Sequence, residues 1–406
     1  MRIAIIGGGA SGLAAAYFLR KQHNVHLFER ASNLGGHVRT LGQNVHVDNL
    51  PAGGIAENGP IGFHVATSPT FLSLLKELGI TTESAALGTN LLLANQIYSL
   101  PPDLKNGRRR FFGAGTGGWR TGVSLLHFVF KTRHSWMKHH TDTPIGDVFP
   151  EQPFLRDWLR CMLMMGLSTP IEVVDSLPVS FAASTLRQGL MHAEWKYIPG
   201  GVHSYQAELL SRMDGQVFLN SPVDKIFRDD NGVKLSVRGQ LTHTYDHLIV
   251  ATPPGRVLSM LDRPSLSEAK FFSKWADDRP FRTIAHSDLA MYENKDVDCP
   301  STADYFQRDD GDFGYNCCVS RLYSRTDEFS FAYKLDHLID PAKRLESHEH
   351  RIPAYSHEAL LHREEFIHTN GANHIFYTGA YLGNGLHEGA VSTANRAANL
   401  LQTQIM

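Results

Sequence analysis

Ile3-Ala4-Ile5-Ile6-Gly7-Gly8-Gly9-Ala10-Ser11-Gly12 is the stretch on which the fold turns. Arg2 to Ile6 is an apolar run suited to a buried parallel strand. Gly7, Gly9 and Gly12 carry the G-x-G-x-x-G spacing. Gly7 permits a tight turn, Gly9 lets backbone approach a pyrophosphate, and Gly12 lets helix and strand pack closely. Ala10 to Lys21 reads as a helix of good formers, with its first amides, at Ala10 and Ser11, facing phosphate. Val25 to Phe28 reads as a second strand. Glu29 closes it seventeen residues after Gly12, where an acid accepts from ribose hydroxyls, and Arg30 follows. Strand, glycines, helix and acid in this order predict a dinucleotide site; a glycine-rich turn without a ligand is the alternative.

The same N-terminus superficially resembles a secretion signal, with an early Arg, an apolar stretch and Ala14-Ala15-Ala16. Three consecutive glycines would interrupt its apolar core, so no secretion signal is expected.

Bulk properties narrow the class. A chain of 406 residues can build two domains and a substantial core. With 42% hydrophobic and 20% charged residues it reads as an ordinary globular protein. A formal net charge of -2 excludes a global signal for nucleic acid. Cys161, Cys299, Cys317 and Cys318 form no C-x-x-C pair, which fits a reducing, cytoplasmic compartment. No apolar stretch reaches the roughly 18 residues of a spanning helix. His139-His140 and His348-Glu349-His350 have no clear ligand set, so no metal is expected.

After Glu29-Arg30 comes Leu34-Gly35-Gly36-His37-Val38-Arg39-Thr40, a second glycine pair followed by basic side chains. Further on stand Glu57-Asn58-Gly59-Pro60 with Gly62-Phe63-His64, and the segment Leu72 to Gly79. Then come Pro199-Gly200-Gly201, Pro222-Val223-Asp224-Lys225-Ile226, and Tyr245 to Pro254 with Ala251 in its centre. The chain closes with Phe376-Tyr377-Thr378-Gly379-Ala380 and His387-Glu388-Gly389-Ala390-Val391. In this order the motifs resemble the flavin-containing amine oxidase superfamily, and within it a group of small bacterial flavoproteins.

The resemblance implies non-covalent FAD held by both ends of the chain. Its cofactor residues would be Gly7, Gly9, Ala10, Ser11, Gly12, Glu29, Arg30, Gly35, Gly36, His37, Arg39, Gly62, Phe63, Val223, Ala251, Gly379, Ala380, Glu388, Ala390 and Val391. The implied fold is α/β with α+β insertions: a discontinuous Rossmann-type FAD-binding domain (1–84, 195–265, 345–406) and an inserted substrate domain (85–194, 266–344). Asn231-Gly232 turn signals within 217–250 fit a small antiparallel layer.

Some positions depart from the family pattern. Amine-oxidising members flank the substrate with aromatics, but the position before His387 is Leu386. Many members place an acid after the glycine where this chain has Ala380. No Cys lies near the C-terminal signature, which argues against a thioether to flavin.

From Lys105 to Lys138 there are eight Lys or Arg and no Asp or Glu, with Leu125, Leu126, Phe128, Val129, Phe130 and Trp136 interleaved. This is open to two readings: a peripheral membrane contact on anionic lipid, or a helix with one core face and one solvated face. Arg108-Arg109-Arg110 could draw an anionic substrate or be a solvated loop.

A flavin performs the difficult step, and the protein supplies orientation and a dry pocket. His64 and His387 are the candidate proton-transfer groups, because the matched motifs place them by the flavin. Structural or pocket-lining roles are the alternative for both. His286 and Asp288 could form an oriented base or a structural hydrogen bond. The expected activity is a two-electron oxidation or desaturation of a C–N or C–C bond in a small or lipid-like substrate, with oxygen or another electron acceptor. Double-bond isomerisation without net redox, and a non-catalytic FAD-binding partner, are the alternatives.

Overall fold

Five short strands build the parallel sheet on which the N-terminal glycines stand. Arg2–Ile6 is its central strand, flanked by Asn24–Phe28 on one side and His247–Val250 on the other. Gln216–Phe218 and Ile375–Tyr377 close the two edges, all strands running parallel. Ile3, Ile5, Leu27 and Ile249 on one face and Ala4, Leu248 and Val250 on the other are fully buried, as a sheet covered on both faces requires. Each such side chain contributes about 1.5–3 kcal/mol on burial. The helix Ala10–Leu19 packs against the C-terminal helix His387–Ile405, so both ends of the chain cover one face. The structure is a computed structural model. Its described residues are 1–51, 53–85, 88–94, 97–100, 118–137, 143–190, 194–275, 279–295, 301–323, 325 and 327–405.

A three-stranded antiparallel layer, Val223–Asp229, Gly232–Val237 and Gln240–Leu241, rises from this sheet. Asp230 and Asn231 make its first turn, one residue before the expected Asn231-Gly232, and Gly232 opens the second strand opposite Asp229 at φ 128°, a conformation that an L side chain rarely adopts. Two small sheets join distant segments. Thr40–Leu41 pairs with Ala56–Glu57, and Trp195–Tyr197 pairs with both Phe63–His64 and Glu83–Ala85.

The seven-stranded sheet draws on two separate regions. Its order is 344–352, 279–286, 330–333, 313–318, 303–307, 89–92, 97–100. Arg344–Ile352 lies past the sequence-based boundary at 345, yet it pairs with Arg279–His286 along most of its length. Its alternation is polar on both faces (Arg-Leu-Glu-Ser-His-Glu-His-Arg-Ile), so hydrophobic periodicity did not mark it as a strand. Helices Pro153–Gly166 and Val179–Leu190 pack together beside this sheet, and Gly118–Met137 packs on the latter. Among the described residues no helix is long and apolar enough to cross a membrane.

Candidate functional site

The first glycine motif closes on itself through backbone. A Cβ at Gly12 would lie 1.8 Å from the Gly7 carbonyl oxygen, and one at Gly7 would lie 2.7 Å from that of Ala251. Only glycine lets the helix start this close to the sheet. The helix Ala10–Leu19 has no side-chain cap and no acid in its first turn. The geometry of a helix start therefore leaves the Ala10 and Ser11 amides without an intrahelical acceptor. Glu29 accepts from Gly8 N at 2.7 Å and from Ala31 N at 2.8 Å, which leaves further lone pairs on the same carboxylate. Asn220 and Ser221 bond the backbone of Ala31 and Glu29, and so bring Val223 beside this strand end. Arg30 is exposed.

The second glycine motif touches the first. Gly35 N donates to Gly8 O at 2.9 Å, and a Cβ on Gly36 would lie 3.0 Å from Gly9 Cα. His37 is exposed, yet the protein massed around it lowers its pKa by desolvation. Arg39 is engaged elsewhere: its guanidinium pairs with Glu346, which also accepts from Asn58 Nδ2 at 2.8 Å. His348 and His350 share the strand face that carries Glu346. His350 faces His37 and bonds Asn58 O at 2.8 Å, and burial pushes its pKa down to about 3.

The C-terminal motif meets these from the other side. Gly379 N donates to Thr393 Oγ1 at 3.1 Å, and Arg363 Nη1 donates to Gly383 O at 2.6 Å. Ala380 is half-buried, whereas Ala390 and Val391 are buried, Val391 in the core between sheet and helices. Glu388 accepts from Thr70 N at 3.2 Å and Phe71 N at 2.8 Å, so its side chain caps the helix Pro69–Leu78. The structure thus gives the side chains of Glu388 and Val391 structural partners.

His387 lies 2.5 Å from the Tyr205 hydroxyl through Nε2. Gln206 Nε2 donates to that same hydroxyl at 3.2 Å, an arrangement that lets the Tyr205 proton point to His387 Nε2. Desolvation, with His37 adding to it, pushes the His387 pKa down to about 4. His387 is therefore neutral near pH 7, with Nε2 already occupied. Gln206 also reaches Gly35 O at 3.3 Å, which links this cluster to the second glycine motif. Tyr205 and Gln206 sit on an unremarkable helix, His203–Ser211, and nothing in the sequence marked them.

His64 belongs to a different cluster: it is buried, bonds Thr67 Oγ1 at 3.1 Å and meets the Trp195 ring. Phe63 is buried against Phe71, and Gly62 lies close to Lys196 O. His286 and Asp288 do not form a base pair of the kind the spacing allowed. The strand ends at His286, whose Nδ1 accepts from the Asp288 backbone amide at 3.1 Å. The Asp288 carboxylate serves Ala290 N, Asp340 N and Lys343 Nζ instead. His286 Nε2 then donates to Asn316 in a buried chain that continues through Tyr292 to Asp304. Among the described residues no group of three His, Cys, Asp or Glu could hold a metal ion. Residues 105–117 and 138, with Arg108-Arg109-Arg110, lie outside the described residues, as do His139-His140 and Cys299.

Beside His387 the wall is apolar. The rings of Phe181 and Tyr355 stack at 4.2 Å. A Cβ at Gly385 would lie 2.7 Å from the Phe181 ring and 3.2 Å from the Tyr355 hydroxyl. Leu386 and Ile61 pack on the same core. Glu57, fully buried, accepts from Val202 N, Thr40 Oγ1 and Tyr323 OH, and burial pushes its pKa up to about 8.

These features fit a dinucleotide with a flavin end. The uncapped helix start and the open face of Gly9, where a Cβ would meet only Gly36 Cα at 3.6 Å, suit a pyrophosphate. Thr252 Oγ1, buried beside Gly7, has no hydrogen-bond partner among the described residues. The two glycine motifs and His387 line one continuous region.

Comparison with known proteins agrees. Residues 10–277 match the family described as flavin containing amine oxidoreductase. No curated protein matches the chain. Cyclohexylamine oxidase from Brevibacterium oxydans IH-35A superposes with a TM-score of 0.72 at 15% identity, covering 100% of this chain and 99% of that one. Wild-type putrescine oxidase bound to putrescine gives 0.68 at 15%, covering 99% of each. A fatty acid isomerase from P. acnes that produces CLA gives 0.68 at 15%, covering 100% and 99%. At such identities these likenesses show the fold alone.

Proposed function

We propose that this chain, which belongs to the flavin-containing amine oxidoreductase family and is an FAD-dependent oxidoreductase, oxidises or desaturates a C–N or C–C bond next to an uncharged, apolar group. The observation that carries this reading is the wall at Gly385. Phe181, Tyr355 and Leu386 form it, and the only acid between Gly379 and Val391 is Glu388, which is spent on a helix cap. No carboxylate on that segment is left to hold a cationic substrate.

FAD, when bound, supplies the acceptor for the hydride, with its two electrons, that leaves the substrate carbon. The protein's part is placement. Gly7, Gly9, Ala10, Ser11 and Gly12 would hold the pyrophosphate, Glu29 a ribose, and Gly35 and Gly36 the approach to the flavin. His37 and His387 would line the flavin end. His387, neutral and fixed by Tyr205, would offer a donor through Nδ1 rather than act as a base. The accompanying proton would pass to solvent, lost by an amine before it binds or by the neighbouring carbon of a desaturated substrate, and oxygen or another acceptor would take up the electrons. Segments 1–84, 195–265 and 345–406 would bind FAD, with 85–194 and 266–344 framing the substrate.

An anaerobic flavin spectrum of the purified protein, with amines and with unsaturated fatty acids, tests this. Bleaching by an apolar substrate that recovers in air is the expected result. Product without lasting bleaching or oxygen uptake would show an isomerase. Bleaching only by small charged diamines would overturn the apolar reading. A yellow protein inert to every substrate would favour a non-catalytic FAD-binding role.

A further inference from the structure

The helix Gly118–Met137 carries its apolar side chains on two opposite faces. Thr121, Phe128 and Thr132 are buried, and Leu125 packs beside them on the core. Val123, Leu126 and Phe130 are 55%, 60% and 67% exposed. At about 100° per residue, these three fall within an arc of about 60° on the side away from the core. An aromatic and two aliphatic side chains aligned in solvent are not explained by packing among the described residues. His127 and Lys131, both exposed, border the stripe. The helix contains no acid, and the sequence from 105 to 138 that includes it has eight basic residues and no acidic one.

We propose that this helix docks the protein on an anionic lipid surface. The apolar arc would enter the headgroup boundary while Lys131 at its border meets lipid phosphate. Charge complementarity selects this occupant, since a wholly apolar partner would leave the basic run unanswered. The helix also has a route to the candidate site. It packs on Val179–Leu190, which carries Phe181 against Tyr355 and Gly385. A surface-bound protein would then hold its apolar wall one helix away from the lipid. The proposal concerns where the protein sits, and it stands whether or not the reaction proposed above is right.

The test is flotation of the FAD-loaded protein with phosphatidylcholine vesicles, with and without phosphatidylglycerol. Flotation with the anionic vesicles only, weakened by salt, is the expected result. Leu126→Glu and Phe130→Glu should each lower the bound fraction on the order of tenfold or more. Lys131→Glu should lower it about fivefold. Flavin content and melting temperature, unchanged in these variants, show that the fold persists, and Phe130→Ser serves as a milder substitution should Glu perturb it. Three outcomes would overturn the proposal: no flotation, flotation indifferent to these substitutions, or a dimer in solution that the same substitutions split. The last would assign the face to a second copy of the chain.

Discussion

The Tyr323 hydroxyl donates to Glu57 Oε1 at 3.1 Å across 266 residues of sequence. Tyr323 follows the seven-stranded sheet's inner strands, while Glu57 lies on the small sheet beside the second glycine motif. Tyr323 also stacks on Tyr197 at 4.8 Å, so one contact ties three segments together.

The burial of Glu57 makes stability pH-dependent. Burial raises the Glu57 pKa from 4.5 to about 8, so the folded chain binds this proton more tightly than the unfolded one. Its contribution is fully present below pH 4.5 and is lost as pH rises through about 8. The loss is on the order of 4 kcal/mol. Glu57→Gln should flatten the fall between those limits, read by chemical denaturation at several pH values. An unchanged slope would assign the dependence to other groups.

Two glycines should fail in different ways. Gly9→Val has room to fold but places bulk where a pyrophosphate approaches, so a folded protein without flavin colour is expected. Gly12→Ala puts a methyl 1.8 Å from the Gly7 carbonyl and should lower stability itself. The ratio of flavin to protein absorbance, together with thermal melting, separates the two. Full flavin occupancy in Gly9→Val would refute the cradle.

Glu388→Ala removes the acceptor for two amides at the start of Pro69–Leu78. A loss of about 1–2 kcal/mol is expected. Glu388→Gln, which keeps one carbonyl oxygen, should recover part of it. If flavin affinity falls while stability does not, the carboxylate serves the cofactor instead.

Glu268 pairs with Arg228, accepts from Tyr377 OH at 2.6 Å and closes a capping box with Ser265. Its side chain is 6% exposed and that of Arg228 is 13% exposed. Glu268→Ala leaves a cation with little water, no counter-charge and the Arg263 carbonyl as its remaining acceptor, at a cost of about 3–5 kcal/mol. A double variant with Arg228→Met should cost less than the sum of the single changes. Strict additivity in denaturant midpoints would show that the pair is not coupled.

The sequence by itself determined the nucleotide-binding end. Glycine spacing, an apolar strand, a helix and Glu29 are all read within thirty residues, because backbone conformation and burial periodicity are local properties. The turn before Gly232 was legible to within one residue for the same reason. The strand Arg344–Ile352 was not, since its place comes from pairing with Arg279–His286 rather than from its own polar sequence. Only the tertiary structure decided what the ionisable groups are. His387 is neutral because burial desolvates it and His37 lies near it, and Glu388 is a cap because the start of Pro69–Leu78 arrives beside it. Proton affinity and hydrogen-bond demand depend on which distant groups share a desolvated space, and no local pattern of residues encodes that.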